Sequence, residues 1–146
     1  MKNKKIKILD CTLRDGGYYN NWDFDHELVE LYLKSMERAS IDIVEIGFRS
    51  PPKRSFMGAF VYSLDDYLEK LPLPEKVLIG VMINAKEYLE APDKPEELIK
   101  KLFLPAGRSL VGLVRIAINF DKALGAEVLA GELKTLGYQV GLNMMQ

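Results

Sequence analysis

The feature that most constrains this chain is a rhythm. Apolar, strand-like runs open near Ile6, Ile41, Lys76, Leu110 and Tyr138, and stretches with helical spacing lie between them. Strands separated by about thirty residues that include a helix are joined by crossovers, so they run parallel and right-handed. The expected strands are Lys5 to Asp10, Ile41 to Phe48, Lys76 to Asn84, Leu110 to Ile118 and Tyr138 to Met145. Four helices are expected between them. The first runs from His26 to Ala39, capped by Asp25, with Leu28, Leu31, Tyr32 and Met36 at helical spacing. A long loop, Arg49 to Tyr62, precedes a short helix to Leu71 that Ser63 and Asp66 open in a capping-box pattern. The third helix starts at Pro95 and ends near Phe103. The fourth, Lys122 to Leu136, is capped by Asp121 and stopped by Gly137. No sequence repeat accompanies the rhythm.

Two architectures accommodate five such units: an open doubly wound sheet, or part of a (β/α)8 barrel. The strand faces choose between them. One parity carries Val44, Ile46, Val77, Ile79, Val81, Val114, Ile116, Ile118, Val140 and Leu142, all apolar. The other carries Ile43, Gly47, Gly80, Met82, Ala117 and Gly141, interspersed with Glu45, Asn84, Arg115, Asn119 and Asn143. An open sheet with helices on both sides should be apolar on both faces. A barrel has one helix-covered face and one lumen face, with its functional groups at the carboxyl ends of the strands. The asymmetry favours the barrel. A complete barrel takes about 250 residues, and this chain has 146. The expectation is a single α/β domain over residues 1–146, the first half or slightly more of a TIM barrel, truncated inside an apolar strand. Exposed sheet edges should then promote self-association.

Bulk properties exclude several function classes. The net charge of −1 leaves no electrostatic footprint for nucleic acid. No apolar run approaches the roughly 20 residues of a membrane helix, and no signal-peptide pattern opens the chain. Lys2, Lys4, Lys5 and Lys7 read as a solvated start. The single Cys11 cannot form an internal disulfide, which fits a reducing, cytoplasmic setting.

The chemistry concentrates where the first strand stops, at Asp10-Cys11-Thr12-Leu13-Arg14-Asp15-Gly16-Gly17. A cation and an anion sit side by side, and two glycines allow a tight, φ > 0 path. Read alone, the pair is either a strand-end salt bridge or a site. The run resembles the first-strand signature D-x-T-L-R-D-G of the superfamily of pyruvate-metabolising aldolases and Claisen-type synthases. That superfamily includes 4-hydroxy-2-oxovalerate aldolases, hydroxymethylglutaryl-CoA lyase, isopropylmalate synthase and homocitrate synthase. Val44-Glu45-Ile46-Gly47-Phe48 is similar to its second strand, and Val114-Arg115-Ile116-Ala117 and Gly141-Leu142-Asn143-Met144-Met145 are weaker echoes.

The resemblance implies carbon–carbon bond making or breaking beside a 2-oxo acid, through a pyruvate-like enolate. An enolate oxygen needs an arginine, a divalent cation, or both. By resemblance, Arg14 stabilises the enolate and Asp15 ligates Mg²⁺ or Mn²⁺. The family's His-x-His metal pair has no counterpart here. The one histidine, His26, opens a helix. The fragment is therefore expected to be metal-free and inactive. Glu45 is either a structural ion pair, with Arg115 or Lys7, or an acid that orients the site. Tyr18 stands where the hydroxy-oxovalerate aldolases carry a histidine base, and a tyrosine's ordinary pKa of about 10 makes it a weak base at neutral pH. Loop packing is the other reading of Tyr18 and Tyr19. Asn84, Asn143 and Arg115 are candidates for substrate contacts, and Asn119 for a turn. Arg49, Lys53 and Arg54 read as a solvated loop or as an attractor of anions. A non-catalytic barrel relative that binds a small anion is the alternative. A nucleotide-binding sheet is weaker, since no G-x-G-x-x-G follows the first strand.

Overall fold

The computed structural model of the chain describes residues 6–146. Lys2, Lys4 and Lys5 lie outside the described residues. Five strands form one sheet: β1 (Leu9–Asp10), β2 (Ile43–Phe48), β3 (Leu78–Asn84), β4 (Leu113–Asn119) and β5 (Gln139–Met145). All neighbouring pairs are parallel, and the spatial order β1-β2-β3-β4-β5 equals the chain order. A doubly wound sheet reverses its strand order at a switch point. This sheet never reverses; it curls into a half-barrel with helices outside.

Among the described residues there are six α-helices rather than four: α1 (Thr12–Gly16), α2 (His26–Arg38), α3 (Asp65–Leu68), α4 (Ala85–Leu89), α5 (Pro95–Leu102) and α6 (Ala126–Thr135). Helices α1 and α4 are single turns that begin where β1 and β3 stop, too short to leave a periodic signature. Asp25 caps α2 as expected, accepting from the amides of Glu27 at 2.9 Å and Leu28 at 3.2 Å. The buried stripe of α2 is different from the expected one. Val29 and Leu33 are fully buried, Tyr32 and Met36 pack beside the core, and Leu28 and Leu31 face out.

Other expected details are corrected. The first strand is two residues long, and Ile6 is 86 % exposed. Ser63 does not cap α3; it turns back, with φ +38°, and its hydroxyl donates to the Phe60 carbonyl. Asp121 caps nothing. A 3-10 stretch, Phe120–Gly125, intervenes before α6, and no side chain caps either helix. Gly137 does end the helix in the left-handed region, at φ +95°.

The core lies between the outer sheet face and the helices. Val44, Ile46, Val81, Ile83, Val114 and Ile116 are fully buried against Leu33, Ile99, Leu129 and Leu133. A register shift between Glu45 and Gly47 changes which residue of β2 faces the lumen. The expected alternation put Gly47 inside. A Cβ on Gly47 would instead meet the Phe60 carbonyl oxygen at 2.1 Å, so this residue faces the outer layer. Phe48 takes the inward place, level with Met82, Arg115 and Gly141.

Candidate functional site

Asp10 fixes the start of the site. Its carboxylate accepts from the Thr12 amide at 2.9 Å, the Thr12 hydroxyl at 3.1 Å and the Tyr32 hydroxyl. Partial burial pushes its pKa up. The bonds from Tyr32 and Thr12 outweigh that, and the net position is below the ordinary carboxylate value. The same contact and burial push the Tyr32 phenol up. This Asx-type turn folds the chain directly into α1. Gly16 and Gly17 are helical, with φ −64° and −62°, so the expected φ > 0 turn is absent. Gly17 is required for space: a Cβ there would lie 2.0 Å from the Trp22 ring. Trp22 itself is held by its indole N–H, which donates to the Arg14 carbonyl at 2.8 Å.

Arg14 projects from α1 to the sheet. Its Nε donates to Glu45 Oε1 at 2.8 Å, and its Nη1 pairs with Asp15. Glu45 is fully buried on β2 and is shared by two arginines. Arg115 on β4 donates from Nη1 to both oxygens of Glu45, at 3.2 and 3.3 Å, and from Nη2 to Asn143 Oδ1 on β5 at 3.0 Å. Gly141 leaves room for this reach, because a Cβ there would come within 3.3 Å of Arg115 Cγ. One lumen network thus joins α1, β2, β4 and β5. Burial pushes the Arg14 pKa down, but the hydrogen bond and charge of Glu45, with Asp15, raise it overall, so the guanidinium stays charged. Burial and the neighbouring Asp15 push the Cys11 thiol up, away from nucleophilic thiolate.

The sequence-derived candidates therefore divide. Arg14, Asp15, Glu45, Arg115 and Asn143 come together. Tyr18 and Asn84 stand apart from that network, on the lining of an adjacent cavity of about 230 Å³. Tyr18 packs edge-on against Trp22, with centroids 4.6 Å apart, and against Phe48 at 6.4 Å. The residue is 66 % exposed, and its hydroxyl makes no hydrogen bond among the described residues. Tyr19 is almost wholly exposed. Asn84 ends β3 and caps α4, its Oδ1 accepting from the Lys86 amide at 3.1 Å. Asn119 borders a second hollow beside Met145. His26 is exposed and pairs with Glu30 at 3.1 Å.

Two residues of the basic loop pair with carboxylates. Arg49 is fully buried, donating to Asp65 at 3.2 Å and to the Ser63 carbonyl. Lys53 pairs with Glu87. Arg54 remains exposed.

Asp15 supplies one hard carboxylate, but one of its oxygens is held by Arg14 and the other accepts from the Cys11 thiol at 3.3 Å. No three His, Cys, Asp or Glu side chains among the described residues come together as a metal site. These residues alone do not fit a metal ion. Among the described residues no helix is long and apolar enough to cross a membrane.

The fold has a solved counterpart. The chain is similar to the crystal structure of the N-terminal domain of a putative aldolase from Bacteroides vulgatus, with 42 % identity and a TM-score of 0.85. The match covers 97 % of this chain and 45 % of that one. No family model matches the chain, and no curated protein does. The likeness supports an aldolase-like fold and, coarsely, an aldolase-type enzyme.

Sequence reasoning takes Asn20-Asn21-Trp22 as an anchor of the loop, but it misses that Phe48 and Trp22 wall the cavity. The Phe48 ring lies 5.8 Å from Arg14 Cζ and also walls the cavity. A one-residue register shift hid its inward direction. The chain's one tryptophan was the available signal for the second.

Proposed function

We propose that residues 1–146 are the amino-terminal part of an aldolase-type lyase domain that acts on a 2-oxo acid. In the retro-aldol direction, the C3–C4 bond of a 4-hydroxy-2-oxo acid breaks. Its electron pair moves into a C2–C3 enolate, and the hydroxyl proton leaves to a base as the aldehyde forms. Protonation of the enolate at C3 then gives pyruvate. Arg14 bears the oxygen charge, and Glu45 orients Arg14 by holding Nε while other donors of its fork remain directed elsewhere. Arg115 and Asn143 bound the same lumen and would contact the substrate carboxylate. Tyr18, with its exposed hydroxyl at the neighbouring cavity, is the proton-transfer candidate. The family resemblance extends to Asp15 as one Mg²⁺ or Mn²⁺ ligand, which would require further ligands from outside the described residues. Self-association through the free edges of β1 and β5 belongs to the same proposal.

The observation that carries this reading is the position of Arg14 past the carboxyl end of β1, gripped by a buried carboxylate, in a chain 42 % identical to the N-terminal domain of a putative aldolase. A protein containing these residues and the strands that complete its barrel should release pyruvate from a 4-hydroxy-2-oxo acid. Arg14→Ala should lower kcat about 10²–10³-fold, the usual cost of one oxyanion donor. Turnover unaffected by Arg14→Ala would refute the assignment. Saturable binding of oxalate with no turnover of any such acid would favour the non-catalytic anion binder.

A further inference from the structure

The cavity beside Arg14 has its own chemistry. Tyr18, Trp22 and Phe48 give it aromatic surface, and Lys53, Asn84 and Glu87 give it charge and amide groups. At about 230 Å³ it suits a small metabolite fragment rather than a cofactor. The rings themselves are fixed by edge-on contacts, Trp22 to Phe48 at 5.5 Å and Trp22 to Tyr18 at 4.6 Å. The polar side is incomplete. Lys53 engages only Oε1 of Glu87, and Oε2 is buried with no hydrogen-bond partner. A carboxylate oxygen left without a donor costs free energy, so the site favours a ligand that brings one.

We propose that this cavity takes a polyhydroxylated, sugar-like chain, and that in the aldolase reaction it receives the aldehyde half of the substrate. Hydroxyl groups supply the donor that Glu87 Oε2 lacks. They also accept from Lys53 and the Asn84 amide. The C–H faces of the same chain lie against the aromatic rings, as an unadorned alkyl aldehyde also could. The carboxylate and lysine set the preference, because a plain alkyl chain leaves both without the bonds that hydroxyls make. Phe48 borders both Arg14 and the cavity, so a fragment seated here continues from an enolate held at Arg14. The aldehyde assignment rests on the aldolase reading; the hydroxyl preference does not.

Trp22 is the chain's one tryptophan and lines the cavity, so its emission reports on occupancy. The test titrates the 146-residue chain with erythritol and, separately, with 1-butanol, which has the same carbon count and one hydroxyl. Erythritol should shift Trp22 emission saturably, and butanol should bind at least tenfold more weakly. Glu87→Gln, nearly isosteric on a half-exposed helix turn, should weaken erythritol about tenfold, the scale of one hydrogen bond to a charged group. Lys53→Met should weaken it further than it weakens butanol. Equal or tighter butanol binding, no saturable shift, or erythritol affinity untouched by Glu87→Gln would overturn the proposal. Oxalate, added to the same samples, separates the two readings. Hydroxyl-dependent binding that persists in Arg14→Ala, with no oxalate binding to the unaltered chain, would keep the polyol site and overturn its assignment to an aldehyde. Oxalate binding without any erythritol response would overturn the polyol site and leave the aldolase reading standing.

Discussion

Two arginines close to the same strand end have opposite fates. Arg49, just past β2, lies on the outer side of the sheet in a closed, charge-matched pair, with its Nε buried and making no hydrogen bond among the described residues. Asp65 takes it at 3.2 Å, while the second oxygen of Asp65 accepts from the Ser109 hydroxyl and the Leu110 amide, both at 2.8 Å. The Phe103 ring sits 4.9 Å from the guanidinium, and Tyr88 donates to the Arg49 carbonyl. Arg14, on the lumen side, belongs to an unmatched and open group. Two guanidiniums share the single buried carboxylate of Glu45, and the balancing Asp15 side chain is 58 % exposed. A closed pair ties β2, α3 and the approach to β4 together. An open group, in which one of the two balancing carboxylates is exposed, is arranged to receive an anion.

The largest expected effect separates these roles. Arg49→Met strands the buried Asp65 charge and should lower unfolding free energy by ~3–5 kcal/mol, read by urea denaturation. Arg14→Met leaves Glu45 bound by Arg115 and should cost no more than about 1 kcal/mol, the scale of one net hydrogen bond. A reversed order would break the comparison.

Next comes Gly17→Ala. Its methyl group would need the space of the Trp22 ring, so a loss of ~1–3 kcal/mol and a red-shifted Trp22 emission are expected. An unchanged spectrum would show that Trp22 does not seat α1 beside the lumen.

A smaller effect concerns pH. Asp10 is held below its unfolded value of 3.8 by hydrogen bonds that overcome burial, so its contribution is fully present above that value. It is lost as pH falls through the depressed folded pKa. The stability difference between the unaltered chain and Asp10→Asn should be flat above about pH 5 and shrink below about pH 4. A difference that grows on acidification would contradict the Asp10–Tyr32–Thr12 arrangement. Smallest is Asp25→Ala, which removes a surface cap bonded to neither arginine and should cost ~1 kcal/mol by the same denaturation, with no change in ligand binding.

The architecture was legible because it depends on period and parity, which a chain displays openly. The βα spacing gave five parallel strands, and the contrast between an all-apolar and a mixed face gave the barrel. Arg14, Asp15 and Glu45 were legible through a strand-end motif, and Arg115 through its parity. What stayed hidden depends on pairing across the fold. Nothing local marks Arg49 as buried, since its partner Asp65 belongs to a later helix. Lys53 finds Glu87 across 34 residues, against 16 for Arg49 and Asp65. The shift between Glu45 and Gly47 exists only relative to β3, so Phe48 and Gly47 exchanged faces unseen. Gly16-Gly17 suggested a left-handed turn when the need was clearance for an indole.

The most direct test follows the arginine Nε–H signals of the chain by NMR during titration with oxalate, a mimic of the pyruvate enolate. The account predicts saturable shifts of Arg14 and Arg115, while Arg49 stays fixed. Shifts confined to Arg49, or no arginine responding at all, would contradict it.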